Sequence, residues 1–296
     1  MKKLSCLLSE FIPRIGGSYC PSKPLVRFIL KRKGFSIDPL TFDKEALNLL
    51  IAQDKIVGPF DFFSVEDNDQ EADFATSVNK TRTQTVPGTK GFRFMFNKGN
   101  CFQNEINKLD NSSNYEFVPI FQDGGALWAV NSDGTVKGFD ANLFVMVFKV
   151  QTSADVAGST LEIDITPKGM GAWQGGSGMY EGVEFGFDEI NPVAGLNIEL
   201  PILTAGATTT TVKITELCAD SAVSGLTSIA NWKMERNGVL ENVTGTITEV
   251  NGKYTFTHGA LVANDKVRFM TMSAGYPVYV LDTNYYSGSS AIETVV

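Results

Sequence analysis

Two Asn-Gly dipeptides, Asn237-Gly238 and Asn251-Gly252, each stand between runs in which apolar and polar residues alternate. Asn-Gly readily adopts the two successive positive φ angles of a type I′ turn, the connection that matches the twist of a two-residue β-hairpin. Residues 231–259 are therefore predicted to form three successive antiparallel strands. In the third, Tyr254 and Phe256 face a core while Thr255 and Thr257 face water. Residues 266–271 repeat the pattern, with Val267 and Phe269 inward and Lys266 and Arg268 outward. No side chain in this stretch suggests catalysis, which points to a chain whose function lies in its surfaces.

The strand signals continue on both sides, giving six elements in about 90 residues, the spacing of a β-sandwich. Residues 204–296 thereby resemble an immunoglobulin-like domain, with Trp232 where such folds often bury a tryptophan. Cys218 has no second cysteine in this segment, so the inter-sheet disulfide of antibody domains is not expected. The small-residue run TAGATTTT at 204–211 reads as a linker leading into the first strand of the domain.

Residues 37–203 read as a separate antiparallel sandwich or barrel-like body with one or two short helices, which makes the whole chain mainly β. A helix is predicted within 38–51, capped by Thr41 or Asp43 and carrying the stripe Leu47, Leu50, Ile51; a second falls at 101–110. Strands are expected at 58–65, within 72–86, and at 91–96, 115–121, 126–130, 143–150, 161–167 and 195–203. In 91–96, Phe92, Phe94 and Phe96 alternate with Arg93 and Met95. The run at 143–150, apolar except for Lys149, is predicted to be the central strand, covered on both faces.

Charge is unevenly placed. The chain has a formal net charge of −8, yet residues 1–33 carry eight basic side chains against Glu10 alone, a local +7; taking +7 from −8 leaves −15 for the rest. Residues 1–36 are expected to be a basic arm holding one short strand at 25–30, with Lys23, Arg27, Lys31, Arg32 and Lys33 contacting an acidic neighbouring copy or nucleic acid. The sequence VEDNDQEAD sets Asp67, Asp69, Glu71 and Asp73 at alternate positions, so an extended chain would present four carboxylates on one face, suited to lining a DNA channel without sticking to phosphate. Ala72 and Val78 stand where a calcium loop of the EF-hand kind needs Gly and Glu.

The residues that usually carry chemistry are sparse. His258 is the only histidine, at a strand end with no triad motif beside it. The four cysteines, Cys6, Cys20, Cys101 and Cys218, are far apart, which suggests buried free thiols in place of a zinc site or disulfide scaffold. The glycine-rich stretch 169–186 lacks both the Lys-Ser/Thr ending of a phosphate loop and the spacing of a dinucleotide loop. It is expected to be a contact loop displaying Trp173 and Tyr180. No cofactor, metal or small-molecule substrate is expected. The apolar run at the N-terminus is cut short by Glu10, and no stretch reaches the roughly 18 apolar residues of a membrane helix, so cytoplasmic synthesis is expected.

A basic arm, a β-rich body, a glycine-rich loop and an appended immunoglobulin-like domain together resemble the structural subunits of tailed bacteriophage particles, particularly of phages infecting Bacteroidetes. That resemblance implies a non-enzymatic virion protein that pairs with copies of itself and with other virion proteins, close to DNA: a tail-tube, neck or ring subunit, or a capsid decoration protein. An exported carbohydrate-binding or adhesion protein, stacking sugars on Trp173, Tyr180 or Trp232, is the alternative from a different class. A hydrolase stands third.

Overall fold

The computed structural model describes residues 1–3, 24–122, 124–145, 161–168, 177–181, 186–187, 190, 192–282 and 284–296. The fold is mainly β, with 50% of residues in strands and 9% helical. The chain divides into two units, Met1–Leu50 with Lys55–Ile190, and Ile51–Asp54 with Asn191–Val296.

The first unit is built on an eleven-stranded sheet curved into a half-barrel. Its central strand is Tyr115–Phe121, paired along its length with Leu25–Arg32 on one side and with Phe139–Val145 and Ala126–Val130 on the other. The five interior residues of Tyr115–Phe121 are all buried, the mark of a strand covered on both faces. The run at 143–150, expected in that role, contributes Leu143 to the core but leaves Phe144 exposed; its residues 146–150 lie outside the described set.

The strand Phe92–Phe96 behaves as its alternation predicts. Phe92, Phe94 and Phe96 are buried, and the outward Arg93 lies opposite Asp164 of Leu161–Pro167. The core is a phenylalanine cluster: the ring of Phe28 lies 4.5 Å from Phe94 and 4.9 Å from Phe60, and Phe92 lies 5.5 Å from Phe117. Such contacts add roughly 0.5–1.5 kcal/mol each beyond area burial. Both expected helices form. Lys44–Ala52 is capped by Asp43, whose Oδ1 accepts the Ala46 N–H at 2.8 Å. Gly99–Asn107 places Ile106 and Phe102 on the phenylalanine cluster.

The basic arm is corrected by this architecture. Leu25–Arg32 is an interior strand with partners on both edges, and its cations are used internally. Arg27 pairs with Asp61 at 2.5 Å, Lys31 with Glu116 at 2.7 Å, and Lys33 with Asp140 at 3.3 Å, while Arg32 lies over the Tyr115 ring. The apolar residues between these cations fit a buried strand, and the carboxylates that neutralise them come from distant segments. Lys23 lies outside the described residues.

The second unit is a sandwich of a six-stranded and a four-stranded sheet. The four-stranded sheet runs Val239–Asn242, Trp232–Arg236, Lys266–Thr271, Glu293–Thr294. In the other, Thr244–Val250, Lys253–Thr257, Thr209–Glu216 and Val193–Glu199 lie side by side. With Val193–Glu199, Thr209–Glu216, Lys253–Thr257 and Thr244–Val250 as strands A, B, E and D, and Val239–Asn242, Trp232–Arg236, Lys266–Thr271 and Glu293–Thr294 as C′, C, F and G, this is the strand order of immunoglobulin-like folds. Trp232 occupies the position on strand C, fully buried, with its Nε1–H donated to Leu226 O at 2.9 Å. Facing rings join the sheets: Phe256 stacks on Phe269 at 5.1 Å and tilts against Trp232 at 5.0 Å.

Both Asn-Gly turns form as predicted, with φ of 51° and 83° at Asn237 and Gly238 and of 52° and 73° at Asn251 and Gly252. The segment between them is not one strand of a three-stranded meander. It leaves the four-stranded sheet after Asn242, buries Val243, and enters the six-stranded sheet at Thr244.

Two boundaries also differ from expectation. Val193–Glu199 pairs with Thr209–Glu216 and, in parallel, with Asn284–Ser287, so it belongs to the second unit. The expected linker at 204–211 is pinned by hydrogen bonds from Ala205 N to Val296 O and from Gly206 N to Leu261 O.

Candidate functional site

The feature of the first unit that no core explains is a two-stranded ribbon between residues 67 and 92. It starts where Ser64–Asp67 pairs with Phe92–Phe96 at the sheet edge. Hydrogen bonds continue outward from Asn68 N to Gly91 O and between Gln70 and Thr89, then through the pair Asp73–Thr76 and Arg82–Val86. Ser77 N donates to Thr81 O at the tip, and Lys80 closes the turn with φ 60°. The eleven residues from 68 to 78 reach roughly 35 Å at about 3.3 Å per residue.

Glycine lets the two strands approach at the base. A Cβ on Gly91 would stand 2.3 Å from Asn68 O, and one on Gly88 would stand 2.8 Å from Gln70 O. Farther out, every residue of Asp73–Thr76 and Arg82–Val86 is exposed, so neither face of the ribbon is covered by the chain's own core. Three apolar side chains stand in water there: Phe74 at 46%, Val86 at 51% and Val78 at 101% relative exposure. The Arg82 guanidinium lies 4.2 Å from the Phe74 ring centroid, a cation–π contact that fixes its direction.

The acidic row lies on this ribbon. Asp67 and Asp69 grip one cation, with Lys90 Nζ 2.7 Å from Asp67 Oδ1 and 3.0 Å from Asp69 Oδ2, while Asp69 Oδ1 accepts the Gly91 N–H. Burial alone would pull the Lys90 ammonium down, but the two carboxylates outweigh it and hold it above the ordinary lysine range. Desolvation likewise raises Asp69, and the Gly91 N–H and Lys90 overcome it to leave Asp69 below its usual value. Half of the row thus braces the ribbon's base, and Glu71 and Asp73 stand farther out, both exposed.

The contact loop is placed differently from its prediction. Tyr180 is 5% exposed on Ser177–Glu181, a strand paired with Ala126–Val130, and burial raises its hydroxyl pKa. Trp173 lies outside the described residues. Trp232 is a core residue of the sandwich and is closed to any sugar.

His258 is also internal. It is 4% exposed, with Nδ1 2.8 Å from Gly259 O and Nε2 2.9 Å from Thr210 Oγ1. A carbonyl only accepts, so Nδ1–H donates to Gly259 O, and Nε2 shares a hydrogen bond with the Thr210 hydroxyl. Both ring nitrogens are engaged internally, Nε2 across to the strand Thr209–Glu216 and Nδ1 on the adjacent backbone.

The cysteines overturn the free-thiol expectation, because Cys101 and Cys218 are both joined in disulfide bonds and no described cysteine is free. Disulfides unite residues that are near in space, so wide spacing in sequence conceals them. Among the described residues no three His, Cys, Asp or Glu side chains gather in a way that would hold a metal ion, and no helix is long and apolar enough to cross a membrane.

Sequence alone did not reveal the ribbon as a single device. Both of its faces are in water, so it lacks the apolar alternation by which strands are recognised. A search of protein-family models finds no match to the chain, and a search of curated proteins finds none either.

Proposed function

We propose that this chain is a non-enzymatic structural subunit of a tailed-phage particle, assembling in many copies as a tail-tube, neck or ring component. The exposed ribbon at 67–92 is the observation that carries the reading. A lone two-stranded ribbon is marginal in water, and stability comes from a third strand or an apolar face to pack on. This one has neither among the described residues, while it holds Phe74, Val78 and Val86 outward. Such an element gains its cover by docking on another molecule. A contact between a projecting element and a different surface of the next copy is heterologous, and heterologous contacts repeat into rings or tubes.

Light scattering after size exclusion, followed by negative-stain microscopy, tests the reading. Rings, short tubes or a defined higher oligomer are expected at micromolar concentration. A monomer at every concentration would refute it.

The oxidised Cys101 and Cys218 favour a second reading, an exported adhesion protein, since disulfides persist on cell surfaces and in extracellular fluid. They persist equally on virion surfaces. The adhesion reading has meanwhile lost Tyr180 and Trp232, both buried, as sugar-stacking rings. A glycan-binding monomer would establish it.

A further inference from the structure

The tip of the ribbon has a charge opposite to that of the chain that bears it. Residues 74–86 contain Lys80 and Arg82 and no carboxylate. Taking this +2 from the net −8 leaves −10 on the remainder. Among the described residues, no carboxylate lies within ion-pair distance of either cation. Arg82 is instead held over Phe74, which sets its guanidinium beside an exposed apolar ring.

From this we infer that the tip is a docking element for a second copy of the same chain, with Phe74 and Val78 seated apolar side down and Lys80 and Arg82 paired to carboxylates on the neighbour's acidic surface. The inference rests on the assembly reading and adds to it the contact element, its partner and the sign of the interaction. Three features single out a second copy. The tip is cationic on a chain that is otherwise anionic, so two copies attract through tip and body while body repels body. Two cations are too few to hold a nucleic-acid backbone, where stable binders neutralise several phosphates and an acidic chain adds repulsion. The exposed apolar side chains sit with the cations, so burial and charge act at one place.

The geometry also explains why the base of the ribbon is braced. Asp67 and Asp69 close on Lys90, and glycines at 88 and 91 draw the strands together, so the tip is presented on a stiff stem. A pre-positioned tip loses less freedom on docking than a loose loop.

The test uses the full chain with a photo-cross-linking residue at Val78, in a mixture of isotope-labelled and unlabelled copies. Cross-links joining the tip peptide of one copy to a peptide of another copy of the same chain are expected. In parallel, the variant K80E/R82E should weaken self-association about tenfold or more, and raised salt should weaken the native protein in the same direction. All substituted side chains are exposed, so circular dichroism should report an unchanged fold. If the native protein oligomerises but Val78 yields no cross-link to its own kind, or K80E/R82E assembles as tightly as the native chain, the inference falls and the assembly reading stands. A cross-link to nucleic acid alone would also overturn it. A native protein that never self-associates removes the assembly reading itself.

Discussion

Lys31 Nζ lies 2.7 Å from Glu116 Oε2 in the interior of the first unit, and the two residues face each other directly across paired strands. Lys31 also donates to the carbonyls of Arg32 and Phe35, and the same Glu116 oxygen accepts the Gly138 N–H at 2.9 Å. The ammonium thus has three acceptors for its three hydrogens, which is what makes its complete burial tolerable. Even so, burial holds the Lys31 ammonium below the ordinary lysine range despite the pull of Glu116.

K31M strands the Glu116 carboxylate in a dry site, and a loss of about 3–5 kcal/mol in urea unfolding is expected. K31M/E116Q should recover much of that loss, because glutamine keeps an acceptor for Gly138 without a charge. Additive losses in the double variant would show that the pair is not coupled.

The two turn glycines should respond unequally to the same change. Gly238 has open space where a Cβ would go, so G238A pays only for its φ of 83°, about 1 kcal/mol. At Gly252 a Cβ would stand 2.7 Å from Ala222 Cβ and 3.1 Å from Ile214 O, with φ 73° in addition. G252A should therefore lower the thermal midpoint clearly further than G238A, and equal midpoints would contradict the packing described around Ala222.

Alkali should loosen the second unit through Tyr254. Its hydroxyl donates to Val223 O at 2.6 Å and accepts the Leu226 N–H, and burial pushes its pKa up to about 12 from the ordinary 10.0. A folded-state pKa above the unfolded one means that the folded form holds the proton longer, so stability falls as pH rises from 10 through 12. Each pH unit of that interval is worth about 1.4 kcal/mol, so the loss approaches about 3 kcal/mol. Tyrosinate absorbance and circular dichroism should change together, and Y254F should flatten the alkaline decline at the cost of lower stability near neutrality.

Thiol titration of unfolded, unreduced protein should detect no free thiol at Cys101 or Cys218, as mapped by alkylation and peptide mass. Reduction is expected to destabilise the chain by about 2–4 kcal/mol per lost bridge. Alkylation of either residue without reductant would contradict the structure.

Most of the β architecture was legible because its signals are local. Asn237-Gly238 and Asn251-Gly252 specify their own backbone angles, and Phe92, Phe94 and Phe96 declare a buried face by alternation. The features that escaped depend on distant partners. Nothing near Lys31 in sequence announces Glu116, so a cluster of cations read as an arm reaching for an acidic neighbour when its partners lie within the chain and it belongs to an interior strand. Glu116 likewise gave no hint that Tyr115–Phe121 would be the strand buried on both faces. The change of sheet at Val243 was hidden because no Gly or Pro stands between Val239–Asn242 and Thr244–Val250 to announce a break.

That change of sheet has a mechanical consequence. Residues 239–250 are threaded like a stitch through both layers of the sandwich, held at each end by a tight Asn-Gly turn. Pulling the layers apart would load a covalent backbone in addition to the apolar seam between them. A module laced in this way resists being peeled into its two sheets by an outward load.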